Sequence, residues 1–365
     1  MERFARCFSI LPDPRSGNAL HDLTEILFIA LLATLSGATS CCDIALFARR
    51  KEELLRTVLV LKYGVPSHDT FSRVFRMLDP EAFEKAFRRF MKAFGAAMKI
   101  TKPRGVVALD GKALRRAYER GKSHMPPIMV TAWSAQTRMA LANTLAAGNN
   151  EAAAVLQLIE FLALKGCVVT ADALHCHRET AKTIVARGGD YVLAVKENQP
   201  GLLRDARAAV AAAARNGARS GTTRDRRHGR NETRTALVAP APEMAKTHDF
   251  AGLKAVARIK SKRGKDKTAE RYFLLTQCYK PAELLRIVRE HWSIENGLHW
   301  PLDVLLDEDL ARNRKDHAPE NLAVLRRLAL NIARAHPDKK TSLRGKLKSA
   351  GWDDAFLFDM LGHMR

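Results

Sequence analysis

Two short apolar runs that each end in an aspartate constrain the fold of this chain more than any other feature. They read Gly105-Val-Val-Ala-Leu-Asp110 and Cys167-Val-Val-Thr-Ala-Asp172. Runs of this length, rich in β-branched residues and without polar alternation, are typical of strands that are buried on both faces. The sequence therefore predicts a sheet that contains both runs and carries an acid at the end of each.

The segments around these runs predict the order of the remaining elements. Alternation of strand and helix patterns gives the order β-β-β-α-β-α-β, which indicates the α/β class with a mixed sheet covered by helices. In such a sheet the first and fourth strands can be neighbours, and Asp110 and Asp172 would then meet at the edge where open α/β sheets bind ligands. The other predicted strands are 128–134, 139–145 and 190–195, and the predicted helices are 150–164 and 177–187.

The first part of the chain, 1–98, predicts a small all-helical domain. Residues 1–20 are expected to be irregular because Pro12 and Pro14 interrupt them. Helices are predicted at about 23–35, 43–61 and 67–78 and from Pro80 onward, and a stripe of phenylalanines in the last of these indicates a core face: Phe83, Phe87, Phe90 and Phe94. The helix at 67–78 is either a DNA-reading element or plain scaffold.

The second part, 99–340, is predicted to be the α/β core with an insertion. After a helix at 200–217, charged and glycine-containing alternating segments over about 218–280 indicate a β-rich insertion that adds strands beside the main sheet. Helices are predicted after Pro281 and at 318–335. A basic C-terminal tail with a short closing helix, 341–365, completes the chain.

The net charge of the chain indicates the class of molecule that it binds. The chain has 61 Lys and Arg against 39 Asp and Glu, a formal net charge of +22. An excess of this size favours a polyanion such as nucleic acid, and the alternative is an ordinary solvated basic surface. The six cysteines include no C-x-x-C pair, and no apolar stretch is long enough to span a bilayer. These features predict a soluble cytoplasmic protein with reduced cysteines and no membrane partner.

A third acid completes a candidate catalytic set. Glu295 lies in the helical segment HWSIENGLHW, residues 291–300, and could approach Asp110 and Asp172. Carboxylate oxygens suit Mg²⁺ or Mn²⁺, and two such ions can hold the attacking and leaving oxygens of a phosphoryl displacement. Each acid also has an ordinary alternative, because Asp110-Gly111 is a common turn former and a helical glutamate is usually solvated. Other late acids compete for the third place: Glu290, Asp303, Asp307, Glu308 and Asp309.

Several blocks of the sequence resemble, in order, those of one transposase group. The blocks are VVALDGKALR, CVVTADALHC, YVLAVKENQP, HGRNETR, REHWSIENGLHWPLDV and APENLAVLRRLALNIAR. They are similar to the H-repeat-associated (ISAs-type) DDE transposases of bacterial insertion sequences, and the likeness covers nearly the whole chain. Related families carry Tyr, Arg and Lys around the glutamate where this chain has Val288, His291 and Leu302, and two further positions differ: Asp22 for a usual proline and His177 for a usual glutamine.

The resemblance implies an RNase H-like core interrupted by the β-rich insertion. Asp110, Asp172 and Glu295 would be the catalytic acids and the ligands of Mg²⁺ or Mn²⁺. The protein would bind double-stranded DNA at transposon ends, hydrolyse a phosphodiester and join the freed 3′-OH to target DNA, as a homodimer assembled on DNA in the nucleoid. Two alternatives stay open: a catalytically inactive DNA-binding relative, and an RNase H-like nuclease without strand transfer.

Basic residues outside the acids are candidates for phosphate contacts, which would add salt-dependent affinity. Each has the ordinary alternative of a surface charge. The candidate DNA-binding residues are Lys112, Arg115, Arg116, Lys196, Arg226, Arg227, Arg230, His291, Arg312, Arg314 and Lys315.

Overall fold

A computed structural model describes residues 2–15, 17, 19–97, 105–117, 125–227, 230–264 and 266–362. Nine strands in these residues form one mixed sheet. They are β1 (Gly105–Ala113), β2 (Ile128–Ser134), β3 (Met139–Leu145), β4 (Cys167–Ala171), β5 (Asp190–Val195), β6 (Gly221–Arg227), β7 (Arg230–Pro240), β8 (Ala255–Arg263) and β9 (Ala269–Leu275).

The strand order is β3-β2-β1-β4-β5-β9-β8-β7-β6. β1 pairs in parallel with β4, and β4 in parallel with β5, so the first and fourth strands are neighbours as predicted. β2 and β3 add to β1 in antiparallel fashion. The four strands of the insertion continue the same sheet beyond β5, all antiparallel. The expectation that the insertion adds strands beside the main sheet is therefore confirmed.

Helices cover both faces of the sheet. They are α1 (Glu2–Phe8), α2 (Leu23–Leu35), α3 (Cys41–Arg50), α4 (Glu52–Arg56), α5 (His68–Met77), α6 (Pro80–Ala97), α7 (Glu151–Phe161), α8 (Arg178–Ala186), α9 (Pro200–Arg215), α10 (Pro242–His248), α11 (Pro281–His291), α12 (Trp300–Leu305), α13 (Ala318–Ala335), α14 (Leu343–Trp352) and α15 (Asp354–Gly362).

The two faces of β1 belong to different cores. Val107 and Leu109 pack with α7, α8 and α9 on one face. Ala108 points to the other face and joins a cluster that contains Trp133, the N-terminal helices and α13. Because side chains alternate along a strand, Asp110 lies on the same face as Ala108. The N-terminal helices thus share one continuous core with α13.

The N-terminal segment differs from its prediction. Residues Glu2–Phe8 form a helix, although the sequence indicated irregular chain up to residue 20. Phe4 and Phe8 stack at 4.1 Å and both contact Phe90 of α6 at 6.1 Å between ring centroids. Seven residues are too few to form a stable helix alone, so this helix depends on tertiary packing that no local pattern reveals.

Other predictions need smaller corrections. The single helix predicted at 43–61 is two helices that meet at Lys51 and end at Arg56. The charged segment after residue 218 forms the β6–β7 hairpin. Asp22, at the position where proline is usual, is the N-cap of α2 and accepts a hydrogen bond from the Glu25 N–H at 2.9 Å. The predicted basic tail contains two helices, α14 and α15.

Within the described ranges, no helix is both long enough and apolar enough to cross a bilayer.

Candidate active site

Asp110 and Asp172 lie side by side on neighbouring parallel strands. The last registered pair of β1 and β4 is Leu109 with Ala171, and the two aspartates follow directly. Asp172 keeps an extended backbone, with φ −74° and ψ 179°. Neighbouring strands are about 4.8 Å apart, and registered residues point to the same face, so both carboxylates reach the same side of the sheet.

Strand β1 does not end at Asp110. It continues to Ala113 because residues 111–113 pair with β2. Asp110 is therefore inside a strand and not in a turn, which removes the turn-former alternative. Its Oδ1 accepts a hydrogen bond from the Gly111 N–H at 3.0 Å, and Oδ1 of Asp172 accepts one from the Leu174 N–H at 3.0 Å. Backbone donors thus orient both carboxylates.

Trp133 of β2 anchors the segment that carries Glu295. The ring is fully buried, and its Nε1 donates a hydrogen bond to Ser293 Oγ at 3.1 Å. Gly297 lies against the same ring, where an added Cβ would be 2.6 Å from Trp133 Cζ2. Residues 295–299 form a π-helical turn between α11 and α12, a feature that is frequent at functional sites. Glu295 itself is exposed.

The charges of these acids act on one another. Burial raises the pKa of Asp110 to about 7, together with the negative charges of Asp172, Glu295 and a fourth acid, Glu151, while the Gly111 N–H opposes the rise. Like charges favour the protonated form, because ionising one carboxylate next to another costs free energy. The three predicted acids therefore belong to one electrostatic site.

Glu151 was not among the residues that sequence reasoning selected. It begins α7 and reaches the site from the opposite face of the sheet, where a Cβ at Gly111 would collide with its carboxylate. Its Oε2 is 3.7 Å from Nε2 of the buried His175. Burial and the charge of Asp172 raise the pKa of Glu151. An acid in the first turn of a helix is so common that the sequence offered no stronger signal.

Two histidines near the acids are neutral. His291 Nδ1 is 3.0 Å from Thr170 Oγ1 on β4, and burial lowers the pKa of His291 to about 4. His299 Nδ1 is 3.7 Å from Asp110 Oδ2, and burial, helped by Arg327 and Lys112, lowers the pKa of His299 to about 3. Neither imidazole carries a positive charge near neutral pH, so His291 could meet a phosphate only as a neutral hydrogen-bonding group.

Lys112, which the sequence predicts to contact phosphate, lies instead among acidic side chains. Its side chain is buried, and its Nζ is 2.7 Å from Asp303 and 2.6 Å from Asp309. Glu308 pairs with the fully buried Arg327 at 2.8 Å. Removing an ammonium from this network would leave buried charges unpaired. The structure thus gives Lys112 a structural role, and it engages three of the late acids that competed with Glu295.

The remaining basic candidates differ in their surroundings. Arg115 is 3.3 Å from Asp309, and Arg314 donates to the Arg116 carbonyl at 2.9 Å, which brings these three arginines together beyond the end of β1. Lys196 directly follows β5. The side chains of Arg227 and Arg230, at the end of the β6–β7 hairpin, lie outside the described residues. The exposed candidates are Arg115, Arg116, Lys196, Arg226, Arg312 and Lys315.

The acids fit a divalent cation in donor chemistry and in charge. Carboxylate oxygens are the ligands that Mg²⁺ and Mn²⁺ prefer. The pKa of Asp110 is raised by burial and, beyond that, by neighbouring negative charge that a cation would neutralise. In the described part of the chain, however, no three His, Cys, Asp or Glu side chains stand close enough together to hold a metal ion. A cation held by all three acids would therefore require these side chains to move toward one another.

A cleft of about 740 Å³ opens beside Glu295. Trp292 lines it, and the Arg271 guanidinium lies 5.0 Å from the Trp292 ring centroid. The opposite wall is the hairpin of the insertion, where Arg289 of α11 is paired with Asp225. The insertion and the segment that carries Glu295 thus form one cleft, which we call the Glu295 cleft.

The fold and the site define a class of protein: an α/β protein with an acidic centre on neighbouring parallel strands and a third acid on a later helix. Comparison with known proteins gives the family. Residues 101–332 match the model described as "Transposase DDE domain", and residues 5–91 match that of the region associated with this domain. The chain belongs to the family of DDE-domain transposases.

Individual relatives agree with this assignment. The chain is 33% identical to "Putative transposase YncI" of Escherichia coli O157:H7, over 97% of this chain and 93% of that protein. It is 28% identical to "H repeat-associated putative transposase YhhI" of Escherichia coli K12, over 99% and 98%. The resemblance to H-repeat-associated transposases is confirmed. Among solved structures, the piggyBac transposase synaptic complex with hairpin DNA has a TM-score of 0.46 at 14% identity, covering 100% of this chain and 77% of that one, which is too weak to bear on fold or function.

Proposed function

We propose that this protein binds double-stranded DNA at the ends of its mobile element and catalyses metal-dependent hydrolysis and strand transfer in an RNase H-like core. The observation that carries the proposal is the position of Asp110 and Asp172 on neighbouring parallel strands, with Glu295 on a segment anchored by Trp133. Acids from separate parts of the chain that raise the pKa of one buried carboxyl form a functional-site candidate with a physical basis.

Asp110, Asp172 and Glu295 would hold one or two Mg²⁺ or Mn²⁺ ions, which would activate the attacking oxygen and stabilise the leaving one. The protein's own contribution is to position these carboxylates. Backbone N–H groups orient Asp110 and Asp172, and Trp133 limits the movement of the Glu295 turn. The neutral His291 and His299 add no positive charge that would compete with a cation.

The DNA partner is supported by the net charge of +22 and by the basic residues grouped around Arg115, Arg116 and Arg314. Strand transfer between two element ends requires two active sites, and we infer a homodimer assembled on DNA. A transposase of this kind would act on the chromosome, which places its work in the bacterial cytoplasm at the nucleoid.

The test is a cleavage assay on a supercoiled plasmid that carries the gene with its chromosomal flanks. With Mg²⁺ or Mn²⁺, the wild-type protein is expected to nick the element ends and to produce joined DNA products. Asp172→Asn is expected to abolish both reactions and to retain DNA binding, because it removes a charge without changing shape. The matched control is Asp249→Asn, an exposed residue with φ 52°, a left-handed conformation that asparagine also adopts.

Each alternative gives a different result. Cleavage by Asp172→Asn at the wild-type rate would overturn the assignment of the acids. DNA binding by the wild-type protein without cleavage under any divalent ion would indicate a catalytically inactive relative. Cleavage without joined products would indicate an RNase H-like nuclease.

A further inference from the structure

A second groove adjoins the Glu295 cleft. It has a volume of about 660 Å³ and lies between α12, the end of α13 and the start of α14. Arg138 and Asn296 line both the Glu295 cleft and this groove. A further hollow of about 360 Å³ continues it along α14 and shares Leu305 and Arg344 with it. We call the second groove and this hollow together the C-terminal groove.

The walls of the C-terminal groove are strongly basic. Its larger part is lined by one acidic residue, Asp338, and by five basic ones: Arg138, Arg334, Lys339, Arg344 and Lys346. The Lys346 ammonium is buried and donates to the carbonyls of Ala333 and His336, so it adds charge to the groove but no phosphate contact. The Asp338 carboxylate is engaged locally, because it accepts hydrogen bonds from the N–H groups of Lys340 at 2.8 Å and Thr341 at 3.1 Å. One ionised carboxylate offsets only part of the positive charge, so the groove keeps a net positive charge.

Helix α14 adds further basic side chains along the groove. Its sequence LRGKLKSAGW contains no acid, and Arg344 and Lys348 are four residues apart on one exposed face. Like charges at this spacing destabilise a helix slightly. Such an arrangement is favourable when an anion lies across the helix. None of the residues predicted from sequence as phosphate contacts lines this groove.

Two exposed tryptophans stand in the same groove. Trp300 is 54% exposed in its larger part and Trp352 is 77% exposed at its far end. The Lys348 ammonium lies 5.8 Å from the Trp352 ring centroid. Exposed aromatic rings between basic side chains are the arrangement on which unpaired bases stack while cations contact the phosphates.

We propose that the C-terminal groove binds an unpaired segment of the DNA strand that leaves the Glu295 cleft. The continuity through Arg138 and Asn296 supplies the path from Glu295. The basic walls supply the phosphate contacts, and Trp300 and Trp352 supply stacking surfaces. The exposed rings favour a single strand over a duplex, because the bases of a duplex are already stacked on one another. This inference rests on the proposed function for the identity of the strand, whereas binding itself needs no catalysis.

The test measures the binding of a fluorescent single-stranded oligonucleotide and of the matching duplex by anisotropy, without divalent ions. In the double variant Arg344→Ala/Lys348→Ala, single-strand affinity is expected to fall about tenfold at 0.1 M salt. The slope of log K against log salt is expected to decrease by about 1.4, since each lost phosphate contact on a single strand removes about 0.7. Duplex affinity is expected to change less.

The matched control removes the same charge elsewhere. Arg215→Ala/Arg219→Ala changes two exposed arginines, one at the end of α9 and one four residues beyond it, on the opposite face of the sheet. An equal loss of single-strand affinity in this control, or an unchanged affinity in the groove variant, would overturn the proposal.

Stacking has its own measurement. Binding of the single strand is expected to quench tryptophan fluorescence, and Trp300→Ala with Trp352→Ala is expected to remove most of the quenching. Full quenching in that variant would contradict stacking in the groove. The result is separate from the proposed function, because loss of cleavage with intact groove binding would refute only the catalytic proposal.

Discussion

Gly297→Ala tests whether Trp133 fixes the position of Glu295. The added methyl would lie 2.6 Å from Trp133 Cζ2, well inside ordinary contact distances of about 3.5–4.0 Å. The ring cannot easily move, because it is fully buried and bonded to Ser293. Overpacking of this kind costs about 1–3 kcal/mol, and the higher helix propensity of alanine offsets about 1 kcal/mol. The net loss in free energy of unfolding is then roughly 0–2 kcal/mol.

The matched control is Gly201→Ala in the first turn of α9, where an added Cβ would meet nothing within 4 Å. The same chemical change there is expected to leave the melting temperature unchanged or to raise it. Gly297→Ala is expected to melt lower than this control by a few degrees in differential scanning calorimetry. Its near-ultraviolet circular dichroism should also change, since Trp133 is a buried tryptophan in direct contact with the new methyl.

The functional effect should be larger than the loss of stability. A displacement of about 1 Å in a catalytic group can cost about 100-fold in rate, so cleavage by Gly297→Ala should fall further than its folded fraction. If Gly297→Ala melts at or above the temperature of Gly201→Ala and cleaves at the wild-type rate, Trp133 does not position the Glu295 turn.

Three further substitutions test other parts of the structure. Lys112→Met is expected to lower the free energy of unfolding by about 3–5 kcal/mol in urea titration, because Asp309 and its neighbours lose their buried partner. Reduced DNA affinity with wild-type stability would instead support the phosphate contact predicted from sequence. Burial raises the pKa of Glu84 from its ordinary 4.5 to about 8. The folded state therefore retains a proton that the unfolded chain has released, and stability falls as pH rises from about 4.5 to 8. Glu84→Gln should therefore increase stability at pH 9 and leave it little changed at pH 4, and equal gains at both pH values would contradict this sign. Glu151→Gln is expected to weaken Mn²⁺ binding about 10- to 100-fold, measured by electron paramagnetic resonance of free Mn²⁺, whereas unchanged affinity would limit Glu151 to packing against Gly111.

Local pattern predicted much of the core. The strands at 128–134, 139–145 and 190–195 have the predicted bounds, and the phenylalanine stripe of α6 is buried as expected. The hydrophobic pattern predicts these elements because, within a short strand or helix, the polarity of each residue follows its burial. The neighbouring positions of Asp110 and Asp172 also followed from the strand order.

Two positions near Glu295 at which this chain differs from related families are packed against apolar neighbours. Val288 is half-buried against the core under α11, and Leu302 is fully buried with Trp133 and α13. These positions pack in the interior of this chain, where a lysine or a tyrosine hydroxyl would need a buried partner. The departure from related families thus has a packing role here.

The sequence by itself determined the central strands and the neighbouring positions of Asp110 and Asp172, because these depend on short-range burial and on chain connectivity. Only the tertiary structure decided which charged side chains form ion pairs and which face solvent. Lys112 was predicted to contact phosphate but is enclosed by acids nearly two hundred residues away, and Glu151 joins the site across the sheet. Such contacts depend on the distance between side chains far apart in sequence, which no local pattern contains.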